Sequence, residues 1–247
     1  LKIGQSLSIE EPFHNNRLIS LTLLREFLET NEYKLEAFEL LTYSTQKSRA
    51  IHSYVFDLVQ NNMKIFFVDT ELERRNYFIS SFKNFLIRIR DSAYALNRKL
   101  SKLRAVNKFP EEQKETADIL KKYYTFLEWL VSFLKCELIP GVQYQRASTS
   151  LQILRVLVES GLDSGIADQY FYQQERRAYP FSLSVSADAS LFRLLIDNLA
   201  NSISDIRQQS KALLLMFNSS DDSHYLFQNL DTQHIHNMII KNMKTYQ

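Results

Sequence analysis

Glycine and proline are scarce, with four of each in 247 residues, against roughly 12 % combined in an average protein. An all-β sandwich or barrel needs a turn about every 8–12 residues, usually built with Gly, Pro, Asn or Asp. So few breakers do not punctuate that many strands. No G-x-G-x-x-G run and no Walker-type loop is present, so the two standard phosphate cradles are missing. One cysteine, Cys136, forms no internal disulfide. That favours a reducing compartment, and a cytoplasmic location is expected. No apolar run approaches the ~18 residues of a membrane-spanning helix, so no membrane span is expected, and no signal peptide is visible. Net charge is only +2, from 30 basic and 28 acidic residues, so bulk charge singles out no partner. The chain starts at Leu1 and ends inside an apolar-periodic stretch, and reads as an excerpt of a longer protein.

What is abundant is apolar residue at helical spacing. The hydrophobic fraction of 45 % excludes a disordered chain, and almost every segment repeats near 3.6. Helices are expected over about Asn16–Thr30, Lys34–Thr45 and Ser48–Gln60. The run Ile65-Phe66-Phe67-Val68 reads as the start of a buried helix or a packed connector, with a strand as the alternative. From Glu71 to about Val106, Phe82, Phe85, Ile89, Ala93, Leu96, Leu100 and Leu103 form one apolar seam. Pro110 suits the first turn of the next helix, and Glu111 and Glu112 favour its N-terminal dipole. That helix is expected to run to Glu137 and to end at Pro140-Gly141. Further helices are expected over Tyr144–Ser160, Asp188–Ser202 and Ser204–Asn218, followed by a C-terminal pair.

Helix, short break, helix at about 40 residues per unit is the signature of HEAT or armadillo repeats. The expected fold class is all-α, an α-solenoid of such repeats, with a non-repeating helical domain as the alternative. The expected organisation is 1–109, helical repeats with a long basic helix; 110–160, a helix pair; 161–187, a loop; and 188–247, a helix pair with C-terminal helices. Leu191 to Phe217 is the best unit. In it Asp205 is expected to cap the second helix and Arg207 to bond the neighbouring repeat.

Chemistry is thinly supported. His234 and His236 lie about 200° apart on a helix and cannot share one ion. Cys136 reads as a small buried hydrophobe rather than a nucleophile. The carboxylates are spread as on solvated helix faces. Tyr123-Tyr124 and Tyr170-Phe171-Tyr172 read as packing residues rather than stacking platforms, and Arg176-Arg177 as a solvated spot.

The long helix is different. Lys83, Arg88, Arg90, Arg98, Lys99, Lys102, Arg104 and Lys108 face a single acid, Asp91, across that stretch. With the seam buried, Arg88, Arg98, Lys99 and Lys102 fall opposite or beside it and are expected to form a solvent-facing stripe. Such a stripe suits phosphates. The competing reading is a solvated face balanced by acids of an adjacent repeat, among them Asp69, Glu71, Glu111 and Glu112.

One stretch goes further. Leu138-Ile139-Pro140-Gly141-Val142-Gln143-Tyr144-Gln145-Arg146, continued by Ala147-Ser148-Thr149-Ser150-Leu151-Gln152-Ile153-Leu154, resembles the THADA family. The region from Phe181 to Phe217, with Leu194-Leu195, Asp205-Ile206-Arg207 and Leu213-Leu214, is similar to that family's next repeat. The resemblance covers about residues 115–218. The family's Arg-Arg-Ser-Ala-Gly-Leu-Pro motif is not present, and Arg176-Arg177-Ala178-Tyr179-Pro180 does not replace it. The family includes a non-catalytic subunit of a tRNA ribose 2′-O-methyltransferase acting in the anticodon loop. The resemblance therefore implies a scaffold without catalytic residues or cofactor of its own. It would hold a methyltransferase partner, which binds S-adenosylmethionine, and the tRNA. A HEAT adaptor that binds only proteins is the rival function. Gly141 is expected at a φ > 0 or close-approach position. Arg146 is expected to bond carbonyls or an acid of the adjacent repeat.

Overall fold

The computed structural model describes residues 21–30, 32–106, 109–163 and 183–217. Among them there are helices and turns and no strand. The helices are α1 (Leu21–Glu29), α2 (Lys34–Thr42), α3 (Ser53–Phe67), α4 (Leu72–Val106), α5 (Pro110–Cys136), α6 (Tyr144–Glu159), α7 (Ala189–Asn198) and α8 (Ser204–Phe217). This is the all-α, helical-repeat class that the periodicity implies. The expected C-terminal helix pair and most of the 161–187 loop lie outside the described residues.

Helix boundaries follow local chemistry. Pro110 opens α5, with Glu111 and Glu112 in its first turn, where carboxylates meet the positive helix end. Asp188 is the N-cap of α7, its Oδ1 accepting from the amides of Ser190 at 2.9 Å and Leu191 at 3.0 Å. Gly161, at φ 71°, follows α6 as a left-handed C-terminal residue. One boundary differs from the sequence reading. Ile65-Phe66-Phe67 is the end of α3, not the start of a helix or a strand. Val55, Phe56, Val59, Met63, Phe66 and Phe67 are buried along it, a three-and-four spacing that carries the helical register straight through the phenylalanines.

Contacts divide the chain into two compact units, Leu1–Glu128 and Trp129–Gln247. The division falls inside α5, whereas the sequence reading put a boundary at residue 109. The core of the first unit is aromatic. Phe38 of α2 lies 5.3 Å from Phe66 of α3 and 5.2 Å from Phe78 of α4, ring centre to ring centre. Phe66 and Phe78 stack at 4.4 Å, and Phe56 and Phe85 both reach Phe126 of α5. Each such ring gains roughly 1.5–3 kcal/mol from burial, and each pair about 0.5–1.5 kcal/mol more from ring geometry.

The core of the second unit is aliphatic. On α6, Leu151, Ile153, Leu154, Val156, Leu157 and Val158 are all buried, a wide apolar arc that leaves Gln152, Arg155 and Glu159 on the remaining face. It packs on α8, which packs on α7. Buried Asp163 accepts from both the amide and the hydroxyl of Ser186, each at 2.8 Å. That bond ties together the two ends of the chain that flank residues 164–182.

Candidate functional site

The cation-rich segment lies on α4, a single helix of 35 residues, about 52 Å long at 1.5 Å per residue. Two helices, α2 and α3, pack on it, and Phe126 of α5 reaches Phe85. Its buried arc is therefore wider than a single seam. It takes in Phe82, Phe85, Leu86, Arg88, Ile89 and Ser92.

That width corrects the placing of Arg88. Its side chain is only 2 % exposed, and it is a core residue rather than part of a solvent stripe. Its Nη1 donates to the carbonyl of Thr42, at the end of α2, at 2.6 Å. Burial pushes the guanidinium down to about 10, which leaves it charged at neutral pH. Nearby, the Tyr123 hydroxyl accepts from the Ile51 amide and shares a hydrogen bond of 2.8 Å with Ser92. Burial pushes the Tyr123 hydroxyl up, and the bonds from Ser92 and Ile51 oppose that rise. Tyr123 is thus a packing residue of the core, as expected of the Tyr123-Tyr124 pair.

The other cations fall into distinct groups. Arg90 is half-buried and pairs with its neighbour Asp91 at 2.9 Å. Lys99 pairs with Glu112 of α5 at 2.7 Å, so an acid of the next helix neutralises it, as the balanced-face alternative required. Lys108 lies outside the described residues. Lys83, Arg98, Lys102 and Arg104 are exposed. Arg98, Lys102 and Arg104 form no ion pair among the described residues. From Ser101 to Val106 only Leu103 is partly covered, so the end of α4 meets solvent nearly all round. The stripe therefore contracts to this end, with Lys83 about 22 Å back along the axis.

The inter-repeat residues also resolve. Gly141 has φ 93°, and an added Cβ would meet nothing within 4 Å. It supplies a left-handed turn, not a close approach. Arg146 is bidentate on Glu137, its Nη2 donating at 2.9 Å and its Nε to the other oxygen. The Glu137 side chain is 3 % exposed, so this pair compensates a buried carboxylate.

Asp205 differs from expectation. It sits in the first turn of α8, and its Oδ2 accepts from Tyr144 Oη and Gln209 Nε2, each at 2.8 Å. It links α6 to α8 instead of capping its own helix. Arg207 differs too. Its Nη1 donates to the carbonyls of Asn201 at 2.7 Å and Ser202 at 2.9 Å. It closes the turn before its own helix rather than reaching a neighbouring repeat.

Sequence reasoning missed an equivalent at Arg75, which donates to the carbonyls of Asp69 and Thr70, each at 2.9 Å. The shared signal was an acid–x–Arg at the helix start, Glu73-x-Arg75 and Asp205-x-Arg207. It also missed the ion cluster of Lys34, Asp69 and Arg74.

Cys136, expected to be buried, is exposed at the end of α5, because it falls on the same solvent face as the exposed Glu128 and Ser132, eight and four residues earlier. Among the described residues no group of three or more His, Cys, Asp or Glu is placed to hold a metal ion. No described helix is long and apolar enough to cross a membrane. His234, His236, Arg176, Arg177 and Tyr170-Phe171-Tyr172 lie outside the described residues.

Comparison with known proteins extends the resemblance towards the N-terminus. The family described as Trm732, TPR repeats, matches residues 1–208. A protein of Schizosaccharomyces pombe named tRNA (32-2′-O)-methyltransferase regulator trm732 is 26 % identical over 200 residues. That alignment covers 78 % of this chain but 13 % of the relative, so the chain spans a small part of its relative's length. No solved structure matches.

Proposed function

Because this chain belongs to the family of Trm732 TPR repeats, we propose that it is part of a non-catalytic regulator of a tRNA 2′-O-ribose methyltransferase. In this reading it helps to position tRNA for anticodon-loop methylation. The S-adenosylmethionine site and the reacting groups belong to the catalytic partner, and the complex works in the cytoplasm. The relative's name supports the regulatory part of this reading. The tRNA part rests on one observation: Arg98, Lys102 and Arg104 stand exposed at the solvent-facing end of α4 and form no ion pair among the described residues.

Lysine and arginine in mixture suit phosphates as charges more than they suit bidentate base reading. The contacts would fix register and orientation, leaving sequence to other elements. Each neutralised phosphate releases counterions and makes affinity depend on salt.

The test is the triple change Arg98→Glu, Lys102→Glu and Arg104→Glu in the full-length chain with its methyltransferase partner. These positions face away from the core, so folding should be intact. Binding to tRNA should weaken, and the slope of log K against log salt should fall by about two to three units. An unchanged slope in the folded variant would remove the stripe from RNA binding. It would put the protein-only adaptor first.

A further inference from the structure

The corner between α4 and α5 carries a conformation that its sequence does not favour. Phe109 has φ 61° and is the non-glycine residue with positive φ among those described. A bulky aromatic in that region is an outlier that costs about 1 kcal/mol or more. Burial does not repay it, since Phe109 is 61 % exposed. The backbone beneath it is nonetheless held. The Phe109 carbonyl accepts from the Gln113 amide at 3.1 Å. Gln113 Nε2 donates back to the Leu103 carbonyl at 3.2 Å. The Lys99–Glu112 pair closes the same corner from the other helix.

We propose that Phe109 is a stacking platform for an unpaired RNA base, set at the end of the α4 cation stripe. This deepens the reading that the stripe holds RNA phosphates, and rests on it. Arg98, Lys102 and Val106 are spaced i, i+4, i+8 and are all exposed. They form one line along about 12 Å of axis that leads to the corner. A single strand needs this combination: a cationic track for its backbone and an aromatic face for a base. A paired stem offers no base face, so the target is a loop or an end. The exposed neighbours Ser101, Lys102, Arg104 and Glu111 are polar or charged, beside apolar Ala105, Val106 and Pro110. A stacked base with its phosphate uses both kinds, whereas an apolar protein knob leaves the cations unused.

The experiment compares Phe109→Ala, Phe109→Trp and the triple Glu variant, each in the full-length chain with its methyltransferase partner. The probes are an unmodified tRNA transcript and a fully paired RNA duplex. Phe109→Ala should weaken tRNA binding about tenfold, in the range for loss of one base–aromatic stack. It should leave the salt slope and duplex binding unchanged, and Phe109→Trp should restore affinity. Phe109→Gly, which removes ring and strain together, should behave as Phe109→Ala does and guards against a folding artefact. Wild-type tRNA affinity in Phe109→Ala, with the slope lost in the triple variant, would overturn the stacking role and leave the phosphate reading standing. If neither variant changes binding, the phosphate reading itself fails. If Phe109→Ala releases the methyltransferase while RNA affinity holds, the ring is a protein contact and the proposal is wrong.

Discussion

In the first unit Arg75, fourth residue of α4, reaches back to the carbonyls six and five residues earlier. In the second unit Arg207, fourth residue of α8, does the same at the same offsets. Side chains tilt towards the N-terminus of their helix, so a long cation at this position is aimed at the turn it has just left. The device is therefore local and repeats with the repeat. Its setting does not repeat. Arg75 is buried at 5 % exposure, whereas Arg207 is half-buried. Around Arg75 lies an ion cluster: Lys34 Nζ sits 2.8 Å from Asp69 Oδ2, with Arg74 at 3.1 Å from the same oxygen. Arg207 makes no ion pair among the described residues, and the nearest carboxylate in sequence, Asp205, is taken up by the uncharged Tyr144, Gln209 and Ser148. One turn lock thus serves two economies of charge, and substitutions should separate them.

The largest effect is expected at Asp69. The Lys34 side chain is 3 % exposed, so Asp69→Ala removes the carboxylate that lies 2.8 Å from a buried ammonium, which also donates to the Ile65 carbonyl. It should cost about 3 kcal/mol, read by denaturant unfolding. Burial alone would raise the Asp69 carboxyl. The bonds from Lys34, the Glu71 amide and Arg74 outweigh it and hold the group below its usual value. A depressed folded value means that the contribution is fully present above the unfolded carboxylate range, near pH 4. It is lost as pH falls through the folded value. Asp69→Asn should flatten that part of the acid unfolding profile. A profile unchanged by Asp69→Asn would show that the cluster does not stabilise the first unit.

Next is Arg146. Its removal leaves the Glu137 carboxylate buried without its bidentate partner, and Arg146→Ala should cost about 2–3 kcal/mol. Adding Glu137→Gln should recover most of this, because an amide needs no counter-ion. If the double change is as unstable as the single one, the packing of the arginine stem matters more than its charge.

The turn locks follow. Arg75→Ala should cost about 2 kcal/mol and Arg207→Ala about 1 kcal/mol. Both free two carbonyls of similar exposure, but Arg75 is itself buried and Arg207 only half-buried, so truncating Arg75 also removes more packing. Equal losses would break the contrast between the units.

What was legible in the sequence follows the same division between local and tertiary physics. Helix existence was legible across the described residues, because a 3.6 period and first-turn chemistry are local. Pro110, Asp188 and Gly161 sit where their backbone preferences put them. The phenylalanines at the end of α3 were misplaced, because a short apolar run looks alike in a strand, a connector and a helix. The side chains of α4 were half legible. A helical wheel gives one buried face, but three helices converge on α4 and widen it, so Arg88 was assigned to solvent. Lys99 depended on a carboxylate across a turn, which no intrahelical count reveals. Arg75 was missed for a simpler reason: an arginine that bonds turn carbonyls leaves no partner side chain to find.

The smallest and most diagnostic effect compares two turns with positive φ. Gly141 at φ 93° and Phe109 at φ 61° occupy the same half of backbone space. Only glycine enters it without penalty. At Gly141 a Cβ would meet open space, so Gly141→Ala should cost only the backbone strain, about 1 kcal/mol. At Phe109 the change runs the other way. Phe109→Gly relieves the strain, loses little burial because the ring is exposed, and gives back some chain entropy in the unfolded state. It should be neutral or stabilising by up to about 1 kcal/mol, measured by thermal unfolding of the two variants side by side. Opposite signs would mean that one turn is built for stability, while the other keeps its ring against stability. The ring's benefit would then have to lie in what it touches outside the fold. If Phe109→Gly destabilises as much as Gly141→Ala does, the ring is packed in solution, and the stacking role loses its physical motive.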